Sequence, residues 1–78
     1  MKEFVEYIVK NLVDNPDDVS INEIEGTNTK ILELHVPKPD IGKIIGKGGK
    51  TINALRTLVM AVASRDHNRT RVNLEIVE

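Results

Sequence analysis

Apolar positions along the chain repeat with two periods, and the switches between those periods divide it into six elements. Over residues 2–13, Phe4, Ile8 and Leu12 form one row, and Val5, Val9 and Val13 form the row beside it. Lys2, Glu3, Glu6 and Lys10 take the remaining face, so the spacing predicts an amphipathic helix. Asp14-Asn15-Pro16-Asp17 ends it, because proline resists continuing a helix and Asn and Asp favour turns. In 19–25, Val19 and Ile21 alternate with Ser20 and Asn22 until Ile24 breaks the phase; a strand with a bulge or an early end is expected. Gly26-Thr27-Asn28-Thr29 reads as a turn. In 30–36, Leu32, Leu34 and Val36 face one way and Ile31, Glu33 and His35 the other, which predicts the second strand of a hairpin.

Pro37-Lys38-Pro39 stops that strand. Asp40 is placed as the N-cap of a short helix over 41–45, with Ile41, Ile44 and Ile45 apolar and Lys43 outside. Gly46 suits the αL position that ends a helix. Residues 50–65 form the longest helix, with Ile52, Leu55, Val59 and Val62 as its core row, and 70–77 form a last strand with Val72, Leu74 and Ile76 inward. The order is α-β-β-α-α-β, an α+β chain without repeats or linkers. Three helices on one face of a three-stranded sheet is the economical two-layer packing.

Size and composition narrow this picture. The 78 residues hold one domain, which buries only about 60% of its unfolded surface. Phe4 and Tyr7 are the only aromatic residues, so the core is aliphatic, and the absence of cysteine excludes disulfides and thiolate metal sites. Met1-Lys2-Glu3 does not open a secretory signal and no apolar run approaches about 18 residues, so a cytoplasmic protein is expected. The net charge of −1 conceals a polarised chain. Residues 1–37 carry three bases against eight acids, net −5. Residues 38–71 carry Lys38, Lys43, Lys47, Lys50, Arg56, Arg65, Arg69 and Arg71 against two acids, net +6.

The positive part surrounds Ile44-Ile45-Gly46-Lys47-Gly48-Gly49-Lys50-Thr51-Ile52, where three glycines and two lysines separate two apolar runs. Glycines without Cβ let a phosphate approach backbone N–H groups and can adopt the positive φ that turns those groups to one side. The long helix begins at about Lys50, and its free N–H groups and dipole add fractional positive charge. Lys43, Lys47 and Lys50 add full charges, and Ile45 offers an apolar surface for a base or sugar. The plainer reading is a helix–helix turn with lysines for solubility. Two nucleotide motifs fail: the first glycine of a Walker loop would fall at Ile44, and the dinucleotide fingerprint lacks its third glycine and its preceding strand.

At these residues the chain resembles a KH domain, whose hallmark is Ile-Gly-x-x-Gly between two helices, here Ile45-Gly46-Lys47-Gly48-Gly49 with Ile52 following. The element order matches the type II form, a three-stranded mixed sheet packed on three helices. The run from Asp40 to Arg56 is similar to the small single-KH-domain RNA-binding proteins of bacteria, the KhpA type. The resemblance implies that the loop clamps the backbone of about four single-stranded nucleotides, with the bases in a groove between the short helix and the neighbouring strand. Gly46, Lys47, Gly48 and Gly49 would then hold phosphate with Lys43 and Lys50. Ile41, Ile44 and Ile45 would line or support the groove, Leu32 and Leu34 would back it, and Arg56 would reach a further phosphate. A solvated arginine is the equal alternative at 56. With three or four lysine–phosphate contacts and almost no aromatic stacking, binding should be modest and only shallowly salt-dependent. A carboxylate placed at Gly46 and Lys47 should repel RNA without unfolding the core.

Other classes are weaker. His35 and His67 have no third ligand to suggest zinc, and Ser20 and Ser64 lie in different elements, so neither catalysis nor a cofactor, metal or small-molecule substrate is expected. An interaction module is the competing reading. Ala54, Leu58 and Ala61 lie together on the flank of the long helix and suit close contact with another chain, unless that flank packs on the first helix. The resemblance likewise implies a homodimer, or a heterodimer with a larger bacterial KH protein of the Jag type. It also implies RNA-chaperone or post-transcriptional work linked to cell shape and cell-wall biogenesis.

Overall fold

A computed structural model describes residues 1–65 and 71–77. The elements are α1 (Lys2–Lys10), β1 (Ser20–Gly26), β2 (Thr29–His35), α2 (Lys38–Ile45), α3 (Lys50–Ala63) and β3 (Arg71–Val77), with single 3-10 turns at Pro16–Asp18 and Lys47–Gly49. This is the α-β-β-α-α-β order of a type II KH fold. The expected loop around His67, and residue 70 of the expected last strand, lie outside the described residues.

β2 is the central strand. It pairs antiparallel with β1, Ile21 opposite Leu34, and parallel with β3, Leu32 opposite Leu74. The antiparallel pair needs only a tight turn, whereas the parallel pair needs a crossover, which α2 and α3 supply. Thr27 and Asn28 form that turn, and Asn28 takes φ +62°, a conformation Asn tolerates better than most residues. The turn also anchors the third strand, since the Arg71 N–H donates to the Asn28 carbonyl at 3.0 Å. The pairing of β1 runs unbroken to Gly26, so the bulge or early end expected at Ile24 does not form. Its register instead places Ile24 on the outer face of the sheet, exposed.

One aliphatic core fills the space between the sheet and the helices. Val5 and Val9 enter it from α1, Ile21, Leu32, Leu34, Val72 and Leu74 from the sheet, Ile41 and Ile44 from α2, and Ile52, Leu55, Val59 and Ala63 from α3. Two expectations change here. α1 stops at Lys10, short of residue 13, and turns its Val5–Val9 row fully inward while Phe4 and Leu12 remain exposed. In α3, Ala63 takes the last core position expected for Val62, which is exposed. A straight helix advances 100° per residue, so a row rising by threes and fours drifts, and Ala63, four residues after Val59, stays on the face that Val62 leaves. Beyond the helices' reach, the same sheet face carries Lys30, paired with Glu23 at 3.1 Å and Glu25 at 3.6 Å. The hydrogen bond between them raises the Lys30 pKa and lowers that of Glu23.

Candidate nucleic-acid interface

α2 begins earlier than its apolar pattern suggested, at Lys38, with Pro37 in the cap position and Pro39 in the first turn. There a missing N–H costs the helix nothing. Asp40 therefore lies inside the helix and does not cap it. Its side chain, 1% exposed, turns away to the segment after α1. It accepts hydrogen bonds from the Asn15 N–H (3.1 Å), the Asn15 Nδ2 (3.0 Å) and the Asp14 N–H (3.4 Å). Burial alone would raise its pKa; the bonds from Asn15 and Asp14, with Lys43 nearby, outweigh burial and hold it below the usual carboxylate value. The chemistry expected of Asp40, a carboxylate gathering free N–H groups, is present at a different address.

The glycine loop follows directly. Gly46, Gly48 and Gly49 take φ of +75°, +62° and +81°. Gly46 has ψ 174°, not the αL value expected at a helix end, and this region is essentially open to glycine alone. A Cβ there would stand 2.2 Å from the Thr51 hydroxyl and 2.9 Å from the Thr51 backbone nitrogen. The position is closed to any side chain, so the carboxylate test suggested at Gly46 would disturb the fold as well as any ligand. Gly48 has nothing within 4 Å of an added Cβ, and Gly49 meets only Asn53 at 3.4 Å. The Gly46 N–H bonds Gly42, that of Gly49 bonds Gly46, and that of Lys50 bonds Lys47. The turn thus holds its own shape and has fewer N–H groups for a ligand than its glycine count suggests. No side chain caps the start of α3.

The cations divide into two sets. Lys47 and Lys50 are exposed and form no ion pair among the described residues. Lys43 is paired with Asp14. Arg56 points along α3 to the sheet edge, where its Nε donates to the Leu74 carbonyl at 3.3 Å. That bond covers an edge carbonyl and draws the guanidinium away from the free phosphate contact expected of it. Among the isoleucines, Ile41 and Ile44 are buried and can only support a groove, while Ile45 is exposed beside the loop. Leu32 and Leu34, expected to back the groove, are fully buried in the core.

Gly42 was missed. It lies in mid-helix, exposed, with no positive φ and open space where a Cβ would go. Such a glycine costs a helix about 0.8–1.0 kcal/mol relative to alanine, and nothing in the fold asks for it. A glycine inside a helical pattern was the available signal. Standing one turn before Gly46 and three residues from Ile45, it gives the helix a smooth surface leading to the loop.

Adjoining the loop at Lys50 and Thr51, α1 and α3 leave a groove of about 330 Å³ lined also by Ile8, Leu12, Ala54, Leu55 and Leu58. Ala54, Leu58 and Ala61 are exposed, so the flank does not simply pack on the first helix. Among the described residues no group of three His, Asp or Glu is placed to hold a metal, and no helix is long and apolar enough to cross a membrane.

A helix–glycine turn–helix carried on this two-layer α+β fold defines a KH module of the type II form. Comparison with known proteins places it more closely. Residues 2–76 match the KhpA/KhpB KH domain model, and the chain belongs to that family. It is 64% identical over 78 residues to the RNA-binding protein KhpA of Chlamydia pneumoniae, covering 100% of this chain and 97% of that protein. It is 49% identical over 76 residues to the RNA-binding protein KhpA of Borreliella burgdorferi, 97% of this chain and 90% of that one. With the KhpA of Clostridium perfringens it shares 47% over 74 residues, 95% and 99% of the two chains. No solved structure matches it significantly.

Proposed function

We propose that this chain is a single KH domain that binds single-stranded RNA without chemistry, holding its backbone at Gly46–Gly49. The observation that carries this is the run of three positive-φ glycines, with two lysines unpaired among the described residues, at the start of a fourteen-residue helix that no side chain caps. The relatives named as RNA-binding proteins support the same reading. Lys47 and Lys50 supply the charge, and Ile45 with Gly42 forms the surface on which a sugar or base rests. RNA chaperoning or post-transcriptional control in the cytoplasm, beside a second KH protein, is the cellular role we infer. The testing variant is Lys47→Asp with Gly48→Asp, since both side chains point into open space. It should keep its far-ultraviolet spectrum and lose at least tenfold in affinity for a single-stranded oligoribonucleotide by fluorescence anisotropy. Undiminished binding by the folded variant disposes of the clamp.

A second reading has its own support. The apolar groove between α1 and α3, with Leu58 50% exposed, suits contact with another chain, either a second copy or a partner KH domain. Sedimentation of Leu58→Asp tests the homodimer: a lower mass than the parent supports the interface between copies, and an unchanged mass in a folded protein removes it.

A further inference from the structure

Among the described residues, Lys43 is the one lysine near the glycine loop that holds an intramolecular carboxylate, and the backbone that carries this carboxylate is itself anchored. Asp14 belongs to the segment that Asp40 fixes: its own N–H and that of Asn15 bond the buried Asp40 carboxylate from α2. Asp40 and Lys43 lie three residues apart, hence on neighbouring positions of one helix surface. The backbone bonds at Asp40 therefore set the Asp14 side chain down beside the Lys43 ammonium. Asp14 itself remains 74% exposed and Lys43 43% exposed, so the pair sits in water, where a ligand can compete for it. Lys43 stands one turn before the loop and Lys50 directly after it. The two lysines bracket the place where the glycines would hold a phosphate, yet among the described residues Lys43 has a carboxylate partner and Lys50 has none.

We propose that Asp14 is an affinity-setting residue, an internal counter-ion that occupies Lys43 in place of an RNA phosphate. This rests on the RNA-binding reading and deepens it. A phosphate that reaches Lys43 must displace Asp14, so this lysine adds little net affinity and little counter-ion release in the wild-type chain. Here the acidic first half of the sequence meets its basic middle, and the contact lowers affinity without touching the glycines.

The test uses the full chain, a labelled single-stranded oligoribonucleotide and anisotropy at several salt concentrations. Asp14→Asn keeps the backbone bonds to Asp40, so folding is preserved. It should tighten binding about two- to fivefold, the weight of an exposed ion pair. The slope of log K against log salt should steepen by about 0.7, the increment for one more contact with a single strand. Asp14→Asn combined with Lys43→Ala should show neither gain over Lys43→Ala alone. Absence of tightening in Asp14→Asn overturns the proposal. So does a gain that survives Lys43→Ala, because it would then be a long-range effect of removing negative charge. The Lys47→Asp, Gly48→Asp loop variant runs alongside: if it binds as well as the parent, the RNA clamp itself fails, separately from the role of Asp14.

Discussion

Gly46, Gly48, Gly49 and Gly42 look alike in a sequence and do four different jobs. Gly46 is structural: its dihedral angles belong to glycine, and Thr51 fills the space a side chain would need. Gly46→Ala should destabilise the domain by about 1–3 kcal/mol in a thermal or urea melt, whatever it does to binding. Gly48 takes a similar φ with open space around it, so Gly48→Asn should melt close to the parent, since Asn tolerates this region. Gly49 caps α3 in the left-handed conformation, and a β-branched replacement there would be strained. Gly42 inverts the usual relation. Gly42→Ala should stabilise the helix by about 0.8–1.0 kcal/mol, seen as a higher melting temperature, and weaken RNA binding, because the methyl occupies the surface the strand would lie on.

At the level of elements, α2 is held by what lies in front of it in sequence as much as by the core. Its two buried isoleucines face inward, and Asp40 ties it to the turn after α1. Both Asp40 oxygens accept while the group is ionised, whereas protonation turns one of them into an O–H facing donors, and its pKa in the folded chain lies below the ordinary value. Its stabilising contribution is therefore complete above the ordinary Asp pKa of about 3.9 and is lost as pH falls through the lower folded value. Asp40→Asn would point an amide N–H₂ at groups that themselves donate. It should lower the melting temperature at pH 7, and the difference from the parent should shrink as the parent is acidified below about pH 4. A constant difference across that range would show that Asp40 acts by shape alone. In the central strand, Leu32 is completely buried, and Leu32→Ala should cost about 2–5 kcal/mol by urea denaturation.

For the whole molecule, the relevant quantity is how much of its positive charge is free. The sequence offers eight bases between residues 38 and 71, but the fold engages Lys43 with Asp14 and Arg56 with the Leu74 carbonyl. With Lys47 and Lys50 as the contacts left beside the loop, log K should fall with log salt at a slope of about −1.4, measured by anisotropy between 50 and 300 mM salt as roughly the accessible range. A slope of −4 or steeper would mean that a much larger basic surface is in use. The acidic first half keeps the net charge near neutral, so RNA binding would depend on the loop and not on a general positive field.

Much of this was legible before any coordinates. Alternation placed Leu32, Leu34, Val72 and Leu74 inward because a strand's side chains have a period of two whatever surrounds it. The 3.6-residue period found Val5, Val9, Ile52, Leu55 and Val59 for the same local reason. Ile45-Gly46-Lys47-Gly48-Gly49 was readable as a turn between helices because glycine and β-branched residues have opposed backbone preferences. Local rules could not say which partner a polar group would find. Asp40 had the right chemistry for a cap, but its actual donors are 25 and 26 residues away. Lys43 and Arg56 read as free cations because Asp14 and Leu74 are distant in sequence and adjacent only in the fold. The sequence by itself determined the elements, the core faces and the glycine turn, since these follow from each residue's own backbone and hydrophobic character. The tertiary structure alone decided which charges remain free to meet a ligand, since pairing depends on distances that exist only once the chain has closed.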